Sequence, residues 1–252
     1  MILAAYDDLC QPLRTHLESA GWTPTPIQEA AIAKLLEGKD RLLVAPTGTG
    51  KTEAVVLPIL SRAFTQKWES LSILYVTPLR ALNRDIDRRL QSLASVVGLT
   101  VGLRHGDTPQ AERNRQSRKP PQLLVTTPET LQIMMTGSRL REHLSNVRVV
   151  IIDEVHELAA SERGAQLLVG IARVEEMAER RIQRIGLSAT VGNPDEVARW
   201  LSPETGAAIR APAPRVTDVR ITCALKVSMR RLRSSSIPHR MRSLRCACSR
   251  TD

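Results

Sequence analysis

Between residues 40 and 190 the chain alternates two kinds of segment. Short runs rich in Val, Ile and Leu are RLLVA (41–45), SILYVT (72–77), TVGLRH (100–105), QLLVTT (122–127), VRVVIID (147–153) and RIGLSAT (184–190). Several are apolar without alternation, as strands covered on both faces must be, and this rhythm predicts a parallel sheet with crossover helices. Helices are expected in between, over TEAVVLPILSRAF, LNRDIDRRLQSLASVV, PETLQIMMTG, RGAQLLVGIARVEEMAERR and NPDEVARWL, with Asn193 or Asp195 opening the last. Ahead of the first strand, IQEAAIAKLLEG reads as a further amphipathic helix closed by Gly38. The apolar stripes are assigned to core. The fold class is therefore α/β, a parallel β-sheet sandwiched by helices, and functional loops belong at the carboxyl ends of its strands.

One such loop is APTGTGKTEA, Ala45 to Ala54, between the first expected strand and a helix starting near Gly50. Backbone N–H groups of Thr47, Gly48, Thr49, Gly50, Lys51 and Thr52 can converge on an anion if the glycines permit a tight wrap, and the helix N-terminus adds its positive dipole end. Lys51 would reach the β- and γ-phosphates and Thr52 would offer a hydroxyl to Mg²⁺. The stretch departs from GxxxxGK[ST] only at Ala45, which stands at the first glycine. Asp153 and Glu154 follow VRVVII. Asp153 would hold Mg²⁺ through water, and Glu154 would orient and deprotonate a water for in-line attack on the γ-phosphorus. Lys51, Asp153 and Glu154 are thus the catalytic candidates, Thr52 and Asp153 the metal candidates, and the implied cofactors are ATP and Mg²⁺.

Composition qualifies this picture rather than redirecting it. The 252 residues suffice for one large α/β domain. The net charge is +10, yet residues 229–252 hold seven arginines against one aspartate and carry +6 of it. That tail has no sustained apolar period. It reads either as a solvated nucleic-acid-binding arm or as sequence not evolved to fold, such as out-of-frame translation; we read it as the latter. Cys246 and Cys248 with His239 match no common zinc spacing, and the four cysteines form no disulfide framework. Without a long apolar window or a basic-then-apolar leader, a cytoplasmic chain with no membrane partner is expected.

Many nucleotide enzymes share a phosphate loop and an acidic strand end. The further segments DEVH (153–156), VTPLRAL (76–82), TTPETL (126–131) and LSAT (187–190), in this order after the loop, resemble the first RecA-like domain of a superfamily 2 DEAD/DEAH-type ATP-dependent helicase. GWTPTPIQ (21–28) is similar to the Q motif, and the stretches 104–131 and 186–201 resemble the Lhr (large helicase-related) group. The resemblance covers residues 10 to 205. It implies a RecA-like P-loop NTPase domain over residues 1–210, a tail over 211–252, and no second RecA-like domain in the chain. It implies adenine recognition by Gln28, coupling of nucleotide state to strand movement by Ser188, Thr190 and His156, and backbone contacts from Pro78, Leu79, Arg80, Thr127, Pro128 and Glu129. Arg80 and the Thr127 hydroxyl also fall on expected loops at the carboxyl edge, where phosphate contacts position a strand without reading bases. Arg80 is equally explained as a surface arginine, and Thr127-Pro128-Glu129 as a helix cap. The implied partner is single-stranded or tailed duplex nucleic acid, DNA favoured and RNA open, gripped through its backbone because only 2% of residues are aromatic. Oligomeric state is open. An arginine finger from a second domain typically supplies ~10³ to 10⁵ in rate, so the chain by itself is expected to be a weak ATPase or, alternatively, a non-catalytic ATP-binding fragment or defective gene product.

Overall fold

A computed structural model describes residues 4–78, 83–189 and 191–211, all within one compact unit spanning Met1–Pro214. Leu79, Arg80, Thr190 and the tail from residue 212 lie outside the described residues.

The expected strands form where the apolar runs stand: β1 (Arg41–Val44), β2 (Ile73–Val76), β3 (Val101–Arg104), β4 (Leu123–Thr126), β5 (Val149–Ile152) and β6 (Gln183–Ser188). A seventh, β7 (Ala207–Arg210), joins beyond β1. Its sequence AAIR is too short and too weakly apolar to announce a strand. The order is β3-β4-β2-β5-β6-β1-β7 with every neighbouring pair parallel.

Helices α1 (Ala4–Asp7), α2 (Gln11–Ser19), α3 (Pro26–Leu36), α4 (Lys51–Thr65) and α5 (Asn83–Val96) precede β3; α6 (Gln110–Arg118), α7 (Pro128–Thr136), α8 (Ser138–Leu144), α9 (Val155–Leu158), α10 (Glu162–Ala178) and α11 (Pro194–Leu201) follow it. Alternation along each strand divides the core. Leu43, Ile73, Tyr75, Val125, Ile151 and Ile185 pack with residues of α3 and α4 on one face. Leu42, Leu74, Leu124, Val150 and Ile152 pack with residues of α7, α10 and α11 on the other. A sheet buried on both faces has no solvent-facing side, so its polar chemistry collects at the strand ends.

The α9–α10 junction sets the path of the chain leaving β5. Ser161 caps α10 by accepting from the Gly164 N–H at 3.2 Å while its hydroxyl donates to the Leu158 carbonyl at 2.9 Å. A β-carbon on Gly164 would lie 2.0 Å from that same carbonyl oxygen and 2.9 Å from the Trp200 ring. Only glycine lets the two helices approach so closely. Gly164→Ala is expected to cost roughly 1–3 kcal/mol, the usual penalty of overpacking, read as a lower urea midpoint at unchanged slope. An unchanged midpoint would show that the junction yields freely.

Candidate active site

The parallel ladder places three strand ends side by side. β6 lies between β5 and β1, Val44 pairs with Ser188, and Ile152 pairs with Gly186. The loop after β1 and the carboxylates after β5 therefore open onto one cleft, with the end of β6 between them in the ladder. A cavity of about 460 Å³ there is lined by Gln28, Lys51, Thr52, Asp153 and Glu154, together with Tyr6 and Trp22. A cleft of about 510 Å³ elsewhere is lined by Arg181 and Arg184, but Asp40 and Glu175 pair with those arginines and leave no net attraction for an anion.

In the loop, Gly48 and Gly50 take left-handed backbone angles, φ 77° and 85°. Gly50 is also crowded, since a β-carbon there would meet the Gln28 amide at 2.6 Å. Ala45 keeps a negative φ, is buried, and donates its N–H to the Ser188 carbonyl at 3.2 Å. It extends the β1 ladder by one residue, and this explains why the first glycine of the usual pattern is dispensable here. Thr49 Oγ1 donates to the Pro46 carbonyl at 2.8 Å, while Thr47 and Gly48 form the exposed tip. Lys51 opens α4, and its Nζ donates to the carbonyls of Ala45 and Pro46 at 2.5 and 2.9 Å. Burial lowers the pKa of this ammonium, and the charges of Glu154 and Asp153 oppose that shift.

At the other wall, Asp153 Oδ1 accepts from the Glu154 N–H at 2.9 Å and Oδ2 accepts from the Tyr75 hydroxyl at 2.6 Å. Glu154 sits at φ 46°, a left-handed angle that a side chain rarely adopts and that concentrates at functional sites. Its Oε2 is buried without a hydrogen bond. His156 Nδ1 stands 3.3 Å from it as a charge neighbour, but the same nitrogen is 3.1 Å from Ser188 Oγ and engages that hydroxyl. Burial first, and the Asp153 charge second, raise the Glu154 pKa. The oxygen donors of Thr52 and Asp153 suit a hard divalent cation. The orphaned Glu154 oxygen, beside them, suits a water that gives up a proton.

Gln28 is wired more tightly than its expected role suggests. Its Oε1 accepts from the Thr25 N–H at 3.0 Å and from the Tyr6 hydroxyl at 2.8 Å, and its Nε2 donates to the Gly50 carbonyl at 3.3 Å. The backbone partners fix which end of the amide is oxygen. Both lone pairs are taken, so reading the adenine amino group requires Gln28 to release one of these donors.

Of the residues expected to couple nucleotide state to strand movement, Ser188 and His156 are hydrogen-bonded to each other at 3.1 Å. Thr127 differs from expectation: it is buried, its hydroxyl accepts from the Thr130 N–H at 3.3 Å, and it is the N-cap of α7 with Pro128 behind it. This is the helix-cap alternative; the hydroxyl is not displayed for a phosphate. A contact missed from sequence is Arg163, whose guanidinium donates to Glu129 at 2.6 Å and to the Pro78 carbonyl at 3.3 Å. It ties the start of α7 to the end of β2, and against the opposing effect of burial it holds the Glu129 carboxyl below its ordinary range.

The family described as DEAD/DEAH box helicase matches residues 25–197. The chain is 41% identical over 214 residues to the "Lhr helicase/ probable uracil glycosylase" of Mycolicibacterium smegmatis and 40% identical over 220 residues to the "Lhr helicase/uracil glycosylase" of Escherichia coli, in each case over 79% of this chain and 14% of the relative. It is similar to the solved structure of Mycobacterium smegmatis helicase Lhr bound to ssDNA and AMP-PNP, with TM-score 0.77 and 38% identity over 82% of this chain and 28% of that one. The shared fold is a RecA-like helicase domain. The chain spans about 14% of the length of these two curated relatives.

The strained, half-desolvated Glu154 yields a prediction in pH. Its folded pKa lies above the unfolded value, so between the two the folded state binds more protons and stability falls as pH rises. Glu154→Gln removes that slope. The variant is expected to melt higher than the unsubstituted protein at neutral pH, with the gain shrinking as pH falls through the Glu154 titration. Melting curves from pH 4 to 8 check it; a difference independent of pH would contradict the assignment.

Proposed function

The chain belongs to the DEAD/DEAH box helicase family, and we propose that residues 1–210 form its ATP-binding domain, which hydrolyses Mg-ATP and couples hydrolysis to movement along single-stranded nucleic acid. Residues 211–252 are proposed as a basic tail outside that domain. One observation carries the reading: Lys51, Thr52, Asp153 and Glu154 line a single cavity, and the Glu154 oxygen in it is buried without a hydrogen bond.

Each residue then has a defined task. The N–H groups of Thr47 to Thr52 and the N-terminus of α4 cradle the phosphates. Lys51 exchanges its two carbonyl partners for the β- and γ-phosphate oxygens, a gain because charge-assisted hydrogen bonds are stronger than neutral-acceptor ones. Thr52 and Asp153 would hold Mg²⁺, which when bound neutralises charge developing on the phosphoryl oxygens. Glu154 orients the attacking water and accepts its proton, a task its raised pKa favours. His156 stands between this carboxylate and Ser188 at the end of β6, where a change at the γ-phosphate would reach the chain leading to Thr190. The strand partner is supported by the M. smegmatis relative, solved with ssDNA and AMP-PNP. DNA is favoured on that ground. Arg80 is proposed as a backbone contact, and Thr127 as a residue that fixes α7 rather than one that touches the strand.

Lys51→Ala is expected to weaken binding of a fluorescent ATP analogue at least about tenfold, in line with the roughly 1.5–3 kcal/mol of a charged hydrogen bond, with circular dichroism unchanged. Retained affinity would sink the nucleotide assignment. Through Gln28, ATP should displace the analogue at lower concentration than GTP does. Equal displacement would show that Gln28 keeps its internal partners and reads no adenine edge.

A further inference from the structure

We infer that Tyr75 is a positioning residue for the metal end of the nucleotide site, its buried hydroxyl holding Asp153 Oδ2 in place at 2.6 Å. The inference rests on the proposed reading of Thr52 and Asp153 as the Mg²⁺ pair. Tyr75 pairs with Ile151 across the β2–β5 ladder, so Asp153 is its diagonal neighbour two residues further on, within reach of an aromatic side chain on the same face. The ring is fully buried.

An ionised carboxylate only accepts, so the Tyr75 proton goes to Asp153. The bond aims the anionic oxygen without involving the phosphates. Burial, and then the Asp153 charge, raise the Tyr75 pKa well above that of a free phenol, so the donor keeps its proton throughout the physiological range. Neither the phosphate-loop pattern nor the acidic pair after β5 identifies this residue.

The test uses the full 252-residue chain and a fluorescent ATP analogue. Tyr75→Phe keeps the ring and deletes only the oxygen. In this variant the Mg²⁺ concentration that half-saturates the tightening of analogue binding should rise about tenfold, as loss of a hydrogen bond to a charged group implies. Affinity in EDTA should stay unchanged. An unchanged Mg²⁺ requirement in a folded variant would overturn the proposal, and so would equal losses with and without Mg²⁺, since those indicate a general structural role. If the unsubstituted protein binds no analogue, the nucleotide reading fails instead, before Tyr75 is at issue.

A second measurement leaves Tyr75 in place. The chain has two tyrosines, so ¹³Cζ-tyrosine labelling gives two resonances, assigned by Tyr6→Phe. Adding Mg²⁺ to the analogue complex should move the Tyr75 resonance. A resonance that stays still would refute the positioning role.

Discussion

The structure depends on the register of three parallel strands. Once Val44 stands opposite Ser188 and Ile152 opposite Gly186, the loop after β1 and the carboxylates after β5 are brought to one level with the end of β6 between them. A slip of one residue would turn the buried set of a strand toward the wrong layer of helices. The two buried layers, with Tyr75 and Ile151 on one face and Leu74 and Ile152 on the other, therefore secure the site as firmly as they secure the fold. The geometry of the site is a by-product of core packing, and this is why side chains more than a hundred residues apart in sequence, Lys51 and Asp153 among them, line one cavity.

The cost of the arrangement is concentrated in a few residues. Glu154 combines a left-handed backbone, a half-desolvated carboxylate and an oxygen without a hydrogen bond. Gly50 combines a left-handed backbone with no room for a β-carbon. Such features persist only where the surroundings over-determine them, and the β5 ladder and the α9–α10 junction supply that support. Lys51 shows the opposite behaviour. Its ammonium is satisfied by the carbonyls of its own loop, so the cavity keeps a positive group that is held in place yet exchangeable.

Much of this was legible in the chain because its signals are local. Unalternating apolar runs define strands buried on both faces, and a loop of glycines and threonines after the first of them marks the wall of the main cleft. The acidic pair after VRVVII is equally local. What stayed hidden depends on contacts across the fold. β7 exists because β1 offers an unpaired edge, not because AAIR is a strong strand former. The engagement of Gln28 by Tyr6 and the bridge from Arg163 to Pro78 and Glu129 join residues whose relation no periodicity expresses. The Q-motif likeness locates Gln28 in the right cavity but says nothing of how its amide is already spent.

One ring nitrogen has a consequence of its own. His156 Nδ1 faces Ser188 Oγ at 3.1 Å and Glu154 Oε2 at 3.3 Å. With a hydrogen on Nδ1, the ring can serve the carboxylate or the hydroxyl, but not both with full strength. With a lone pair there, it accepts from Ser188 and offers Glu154 nothing. The whereabouts of a single hydrogen therefore ranks two strand ends against each other, so that a change in hydrogen-bond demand at β5 is felt at β6 as a change of tautomer, with no movement of the backbone required.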